Sequence, residues 1–247
     1  MEYKIVMPSG IVFDFSNMVG AGRLQAQEVE QALQQQGAVA EKAVCELRRS
    51  GFAKKHLSKD GTPEHVYFPR MPYIADGNPN TEQSIIKLMR YSKYLRSKDV
   101  VIFLGVGGSY LGNKVLFDAF GGYHWNTSAT LRQGQPCIYF SGNNLDPVDC
   151  NSLLFKMRRM AGVSAQEGKK LKIMLVPISK SGTTLETISA FTYFYANLSQ
   201  NADIDLDCTV VTDLKAPVKM RRFCSWRKNL AGSALILRKA SADASAL

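Results

Sequence analysis

Ser179-Lys180-Ser181-Gly182-Thr183-Thr184-Leu185-Glu186-Thr187 is the stretch best equipped for chemistry, because six of its nine residues carry a hydroxyl or an ammonium. An apolar run, Ile173-Met174-Leu175-Val176-Pro177-Ile178, precedes it, and a helical pattern from Leu185 to Leu198 follows. The order is therefore strand, polar loop, helix. Backbone N–H groups at a helix start have no intrahelical partner, and the helix dipole favours an anion there. The hydroxyls of Ser179, Ser181, Thr183 and Thr184 can add donors to phosphate oxygens, and Gly182 lets the backbone come close. Read blandly, the same residues are a hydroxyl-rich cap and turn. Lys180 is assigned to ligand contact from its place inside the loop. Glu186, in the first helical turn, is read as a dipole-favoured acid that orients loop groups.

A second junction has the same order. The run Val100-Val101-Ile102-Phe103-Leu104 ends in Gly105-Val106-Gly107-Gly108-Ser109-Tyr110-Leu111-Gly112 and enters a helix near Asn113. Tyr110 falls where a dinucleotide fingerprint needs its third glycine, and no Gly-Lys-Ser/Thr follows for a nucleotide-triphosphate loop.

Taken together and in this order, the two loops resemble signatures of the glucose-6-phosphate isomerase family. Gly105–Gly112 is similar to its Gly-x-Gly-Gly-Ser-x-Leu-Gly segment, and Ser179–Thr187 to its Ser-Lys-Ser-Gly-Thr-Thr-x-Glu-Thr segment. Between them, Tyr139 to Pro147 resembles a strand-to-loop segment of that family. The resemblance covers roughly residues 65–215. It implies a sugar-isomerase type of fold, interconversion of glucose 6-phosphate and fructose 6-phosphate without a cofactor, and a two-domain homodimer. It also implies a phosphate anchor made of Gly108, Ser109, Ser179, Lys180, Ser181, Gly182, Thr183 and Thr184. The family's base glutamate, its ring-opening histidine and lysine, and the arginine that stabilises the enediolate have no counterpart in this sequence. The expectation is therefore sugar-phosphate binding without meaningful turnover.

Composition sets outer bounds. The chain has 247 residues, 45% of them hydrophobic, which suits one good core. No apolar run of about 18 residues is present, and the N-terminus has no signal-peptide layout, so neither a membrane partner nor export is expected. Five scattered cysteines (Cys45, Cys137, Cys150, Cys208, Cys224) fit reduced thiols in the cytoplasm. His56, His65 and His124 show no metal-ligand spacing, and no metal site is expected. The net charge is +10, but residues 220–247 hold six basic residues and one acid, +5 of that total. The remainder is mildly basic, so nucleic acid is not the expected partner.

The elements that must position the two loops follow from periodicity. Residues 3–15 read as a β-hairpin, and 24–49 as one helix or two, interrupted near Gly37 and stopped at Gly51. Residues 52–80 read as a connection with a short strand at Val66-Tyr67-Phe68. Asn80 and Gln83 suggest a capping box opening a helix over 81–98, with Ile85, Ile86, Leu88, Met89 and Leu95 facing the core. Strands at 99–104, 137–141, 171–178 and 208–212 alternate with helices near 111–120, 147–162 and 185–198. That alternation predicts an α/β fold, a three-layer doubly wound parallel sheet with both loops at carboxyl strand ends. Asp146-Pro147 reads as a helix cap, and His124-Trp125 as a surface turn.

The domain reading is a helical region over 1–98, an α/β domain over 99–219 and an aberrant tail over 220–247. The tail lacks strand or helix periodicity. Read from the third base of each codon, Leu235 to Ser245 permits Asp-Ile-Pro-Glu-Gly-Ile-Gly-Gly-Arg-Phe-Ser, the segment the family should carry next. The chain is therefore expected to be an isomerase read out of frame after Asp213 and incomplete relative to its family. An alternative of another class is a non-catalytic sugar-phosphate sensor. Residues 1–98 lack the basic helix–turn–helix that such a regulator would carry.

Overall fold

The computed structural model describes residues 3–57, 61–76 and 78–212, with 54 and 55 described by backbone alone. It forms two compact units, one ending at Thr81 and one beginning at Glu82. The sequence-based boundary at 98/99 falls inside the second unit. The expected tail at 220–247 and the reading-frame shift lie outside the described residues.

The first unit contains an antiparallel hairpin, β1 (Lys4–Val6) with β2 (Val12–Asp14), as its alternation predicts. Helix α1 (Ala26–Ser50) follows as a single 25-residue helix, which corrects the expected break at Gly37. A mid-helix glycine costs only about 1 kcal/mol relative to alanine, and the surrounding Ala, Gln, Glu and Leu are strong helix formers. At the start of α1 the Glu28 carboxylate accepts from the Gln25 amide at 2.7 Å. At its end Gly51 takes a left-handed φ of 78° and donates back to the Leu47 carbonyl, the expected stop. A second hairpin, β3 (Phe52–Leu57) with β4 (Pro63–His65), occupies the stretch read as a plain connection. The strand expected at 66–68 is absent, because the chain there turns, with the Arg70 amide bonded to the Tyr67 carbonyl.

The second unit is α/β, built on a parallel sheet with helices against both faces. Its order is α2 (Glu82–Arg96), β5 (Val100–Leu104), α3 (Gly108–Phe120), a short α4 (Ala129–Arg132), β6 (Cys137–Ser141), α5 (Pro147–Gln166), β7 (Leu171–Ser179), α6 (Leu185–Leu198), β8 (Ile204–Cys208) and β9 (Val211–Thr212). The strands run side by side as β6-β5-β7-β8, all parallel, and β9 extends the pairing along the end of β7.

Alternate residues of the strands point to opposite faces, and both faces are covered. On one, Val100, Ile102, Leu104, Ile173 and Leu175 pack against Leu154, Met157 and Ala161 of α5 and Phe191, Phe194 and Leu198 of α6. On the other, Val101, Met174 and Val176 pack with Tyr94 and Leu95 of α2, together with Ile178 and Val211. Strands buried on both sides read as continuous apolar runs, which is why β5 and β7 stood out in the sequence.

Three expectations are corrected here. Helix α2 begins at Glu82, one residue later than expected, and the Asn80 side-chain amide donates to the Met71 carbonyl at 2.6 Å. Ile86, Leu88 and Met89 are exposed, so the core-facing side of α2 is carried by its last turns. The final strand expected at 208–212 is two pieces, with β8 beginning at Ile204. Its buried end is held by charge. Lys98 Nζ lies 3.2 Å from the Asp207 carboxylate, the two side chains being 8% and 13% exposed, and the Tyr94 hydroxyl donates to the same carboxylate. Burial lowers the pKa of the Lys98 ammonium and raises that of the Asp207 carboxyl.

Candidate functional site

The strand order places β5 and β7 next to each other, and their following helices leave in different directions. The connection from β5 leads to β6 on one side, and that from β7 leads to β8 on the other. This is the switch point of the sheet, where open α/β folds form a ligand crevice at the carboxyl strand ends. The two loops singled out by composition are the two loops at this point. Leu104, the last residue of β5, pairs with Pro177, and β7 runs two residues further to Ser179, so the second loop starts beyond the end of β5 on the neighbouring strand.

The glycines of the first loop have separate jobs. A Cβ on Gly105 would sit 2.8 Å from the Ser109 carbonyl oxygen and 3.0 Å from Ser109 Cβ, so only glycine allows this strand-to-helix turn. Gly107 precedes α3 with φ 56° and ψ −122°, a conformation that L residues rarely adopt. Gly108 is exposed and opens α3, and a Cβ there would meet nothing within 4 Å. Ser109 is half-buried in the first turn.

In the second loop Ser179 is 2% exposed at the end of β7. Its hydroxyl accepts from the Gly182 amide at 3.1 Å and lies 2.8 Å from the Thr184 hydroxyl. Ser181 accepts from both the Thr183 amide, at 3.2 Å, and the Thr183 hydroxyl, at 3.0 Å. Gly182 is buried with φ 65°, Thr184 is half-buried, and Lys180, Ser181 and Thr183 are exposed. The hydroxyls are thus gathered in one turn and bonded to one another.

Helix starts separate this site from the rest of the sheet. Thr184 stands at the N-cap of α6 and Gly107 at that of α3, and neither supplies a side-chain cap. By contrast, Asp146 caps α5 by accepting from Val148 at 2.8 Å with Pro147 in the first turn, as expected, and Ser128 caps α4. The loop after β6 is also satisfied internally, since the Ser141 hydroxyl donates to Asp149 at 2.9 Å. At the switch point the start of α6 therefore keeps first-turn N–H groups that its cap side chain does not take up, while in α3 the N–H groups of Ser109, Tyr110 and Leu111 bond to the Val106 and Gly107 carbonyls and that of Gly108 is left for an anion. His124-Trp125 lies in a turn, where the Trp125 indole donates to the Pro136 carbonyl at 3.1 Å.

Two residues were given no role from the sequence. Thr187, fully buried, and Thr212, 9% exposed, both carry hydroxyls with no hydrogen-bond partner among the described residues. Thr187 had a signal: it lies three residues after Thr184, on the helix face that continues with Ala190, Phe191 and Phe194. Thr212 had none, because its position depends on a two-residue strand.

Comparison with known proteins gives partial matches. No family model matches the chain. Glucose-6-phosphate isomerase of Symbiobacterium thermophilum is 36% identical over 93 residues, covering 38% of this chain and 18% of that protein. The enzyme of the same name from Acetivibrio thermocellus is 32% identical over 102 residues, or 41% of this chain and 20% of that protein. The matched region thus spans about a fifth of the length of these curated relatives. Among solved structures, a hypothetical protein of Thermus thermophilus superposes with a TM-score of 0.52 at 21% identity, covering 85% of this chain and 42% of the other. That likeness speaks to the fold alone. The sequence matches support a sugar-isomerase-like relationship. Among the described residues, no helix is long and apolar enough to cross a membrane.

Proposed function

We propose that this chain binds a sugar phosphate, glucose 6-phosphate or fructose 6-phosphate, as a domain of the glucose-6-phosphate isomerase kind. The observation that carries the reading is the pairing of two helix starts without side-chain caps at one switch point, next to a turn rich in hydroxyls. In this reading the Gly108 N–H, the Ser109 hydroxyl and the start of α6 supply donors, the Ser109 N–H being held by the Val106 carbonyl at 3.1 Å. Ser179, Ser181, Thr183 and Thr184 supply hydroxyls, Gly182 allows close approach and Lys180 supplies the charge. The partial matches to enzymes of that name favour the phosphosugar over other anions.

Aldose–ketose interconversion needs a carboxylate to carry the proton between C2 and C1, an acid–base pair to open the ring and a cation to hold the enediolate. The sequence offers no counterpart of those groups, so binding without turnover is proposed for this chain. Calorimetric titration of the full chain with glucose 6-phosphate tests the reading, with glucose as control. The phosphorylated sugar is expected to bind and glucose not. Ser179→Ala should weaken binding about tenfold or more, the worth of a hydrogen bond to a charged group. Equal response to the two sugars would sink the proposal, and so would no response to either.

A further inference from the structure

We infer that α1 is a self-association helix: two copies of this chain pair through it, antiparallel, about a two-fold axis near Val39. This does not depend on the phosphate reading. Helix α1 has 25 residues, a length of ~37 Å at about 1.5 Å per residue, and none of them is buried. Its apolar residues nevertheless keep to one side. Val29, Leu33, Ala40, Val44 and Leu47 recur at intervals of three, four and seven, which places them on a single face. Such a stripe calls for a partner, and Leu33 and Val44 are 56% and 55% exposed. The first half of the stripe lies in an apolar groove of about 380 Å³, walled by Phe15, Met18 and Leu24 on one side and by Val29, Leu33 and Ala40 on the other. The second half, exposed Val44 with half-buried Leu47, continues past the groove as a ridge. Groove and ridge on one face suit a two-fold pair, since each copy lays the ridge of its α1 into the groove of the other.

Gly37 marks where the helices cross. It lies on the same face, one turn after Leu33 and one turn before Ala40. A Cβ on it would meet nothing within 4 Å, so no described neighbour accounts for a glycine, a poor helix former, in the middle of α1. A second helix accounts for it, because a missing side chain lets two backbones come close. Ala40 is small as well. Small residues at the middle of the stripe, with Val and Leu towards both ends, put the crossing between Gly37 and Ala40.

Charge selects the occupant and its direction. Residues 26–37 carry Glu28 and Glu30 and no basic residue, a net −2. Residues 38–50 carry Lys42, Arg48 and Arg49 against Glu41 and Glu46, a net +1. An antiparallel pair of copies sets each acidic half beside a basic half, whereas a parallel pair sets like beside like. The flanks agree in detail. Glu30 and Arg48 are 18 residues apart, which is about five whole turns, so they stand on the same flank of the apolar face. Val39 is midway between them. With the axis there, Glu30 of each copy meets the partner's Arg48, and the contact occurs twice.

Sedimentation equilibrium of the full chain at low salt, up to about 100 μM, tests this and should show a monomer–dimer equilibrium. Glu30→Arg or Arg48→Glu alone should raise the dimer Kd about tenfold, because two symmetric ion pairs turn into two repulsions. Glu30→Arg combined with Arg48→Glu should bring the Kd back to that of the wild type. Gly37→Leu favours the helix itself but fills the crossing, so it should raise the Kd about ten- to hundredfold while the far-ultraviolet circular dichroism keeps its helical signal. A monomer at every concentration overturns the inference. So does a dimer that Gly37→Leu leaves intact, since that dimer uses another face. Single charge reversals without effect, or a double reversal that fails to restore association, overturn the antiparallel pairing and the inference with it. None of these outcomes touches glucose 6-phosphate binding, which is measured separately.

Discussion

Replacing Gly105 with alanine tests how the first loop is built. The new Cβ would lie 2.8 Å from the Ser109 carbonyl oxygen, 3.0 Å from Ser109 Cβ and 3.1 Å from its carbonyl carbon. Two of these three atoms are backbone, so no rotamer change relieves the contact. The other side of Gly105 is fixed too, because its amide reaches back to the Ser141 carbonyl on β6 at 3.4 Å. The start of α3 must therefore move by about half an ångström, and overpacking of this kind costs about 1–3 kcal/mol. For a chain of this size that lowers Tm by roughly 2–12 °C. Gly108→Ala, three residues on, is the control. Its Cβ meets nothing within 4 Å, and alanine is a better helix former, so Tm should hold or rise. Its effect belongs to the ligand: a methyl group at the helix start stands where the phosphate must approach, and glucose 6-phosphate binding should fall about tenfold. Differential scanning calorimetry and titration of both variants separate the two effects. An unchanged Tm in Gly105→Ala would refute the close-approach argument. Full affinity in Gly108→Ala would refute the placement of the anion.

Three further outcomes follow from charge and burial. Lys98→Met leaves the Asp207 carboxylate buried without its cation and should cost about 3–5 kcal/mol, most of it recovered on adding Asp207→Asn, as chemical denaturation would show. The Cys208 thiol is pushed up to about 12 by burial with the Asp207 carboxylate beside it, so iodoacetamide should label exposed Cys45 and spare Cys208 until the protein unfolds. Asp14 is held down to about 2 by the Ser16 hydroxyl and amide, with Lys4 3.2 Å away. Because its folded pKa lies below the ordinary 3.8, its contribution to the first hairpin is present above that value and is lost as the pH falls towards 2. An NMR titration of its carboxyl should show that midpoint.

What was legible in the sequence depended on how local its cause was. Strands β5 and β7 are buried on both faces, so their residue types announced them without reference to any partner. The cap of α5 was equally plain, because Asp146-Pro147 fixes a helix start from its own side chains. Non-local causes were missed. Strand β8 begins Ile204-Asp205-Leu206-Asp207, with a carboxylate at every second position, which argues for an exposed edge. Besides the Cys208 amide next to it, Lys98 and Tyr94, more than a hundred residues away in the chain, pair with Asp207 where it lies. The hairpin of β3 and β4 is marked by no strong alternation. In α2 the helical period was read correctly and Leu95 meets the sheet as expected, but Tyr94 joins it there in place of the exposed Ile86, Leu88 and Met89.

The candidate site shows the same division between composition and placement. Its loops were legible because glycine and hydroxyl residues cluster at the ends of two apolar strand runs. Their adjacency was not, since it comes from β6 returning to the far side of β5 before β7 is laid down. The loop after β6 carries no part of the expected phosphate anchor, yet it sets where α6 begins. Gly142 has φ 72°, and a Cβ on it would fall 2.8 Å from Ala190 Cβ and 3.8 Å from Leu104 Cβ. The absence of that one carbon lets α6 settle over the end of β5, and Ala190 is only one turn beyond Thr187. Three glycines therefore fix the geometry by what they lack: Gly105 seats α3, Gly107 turns the chain into it, and Gly142 seats α6. The residues that would touch a phosphate lie on two loops, but their spacing is held from all three.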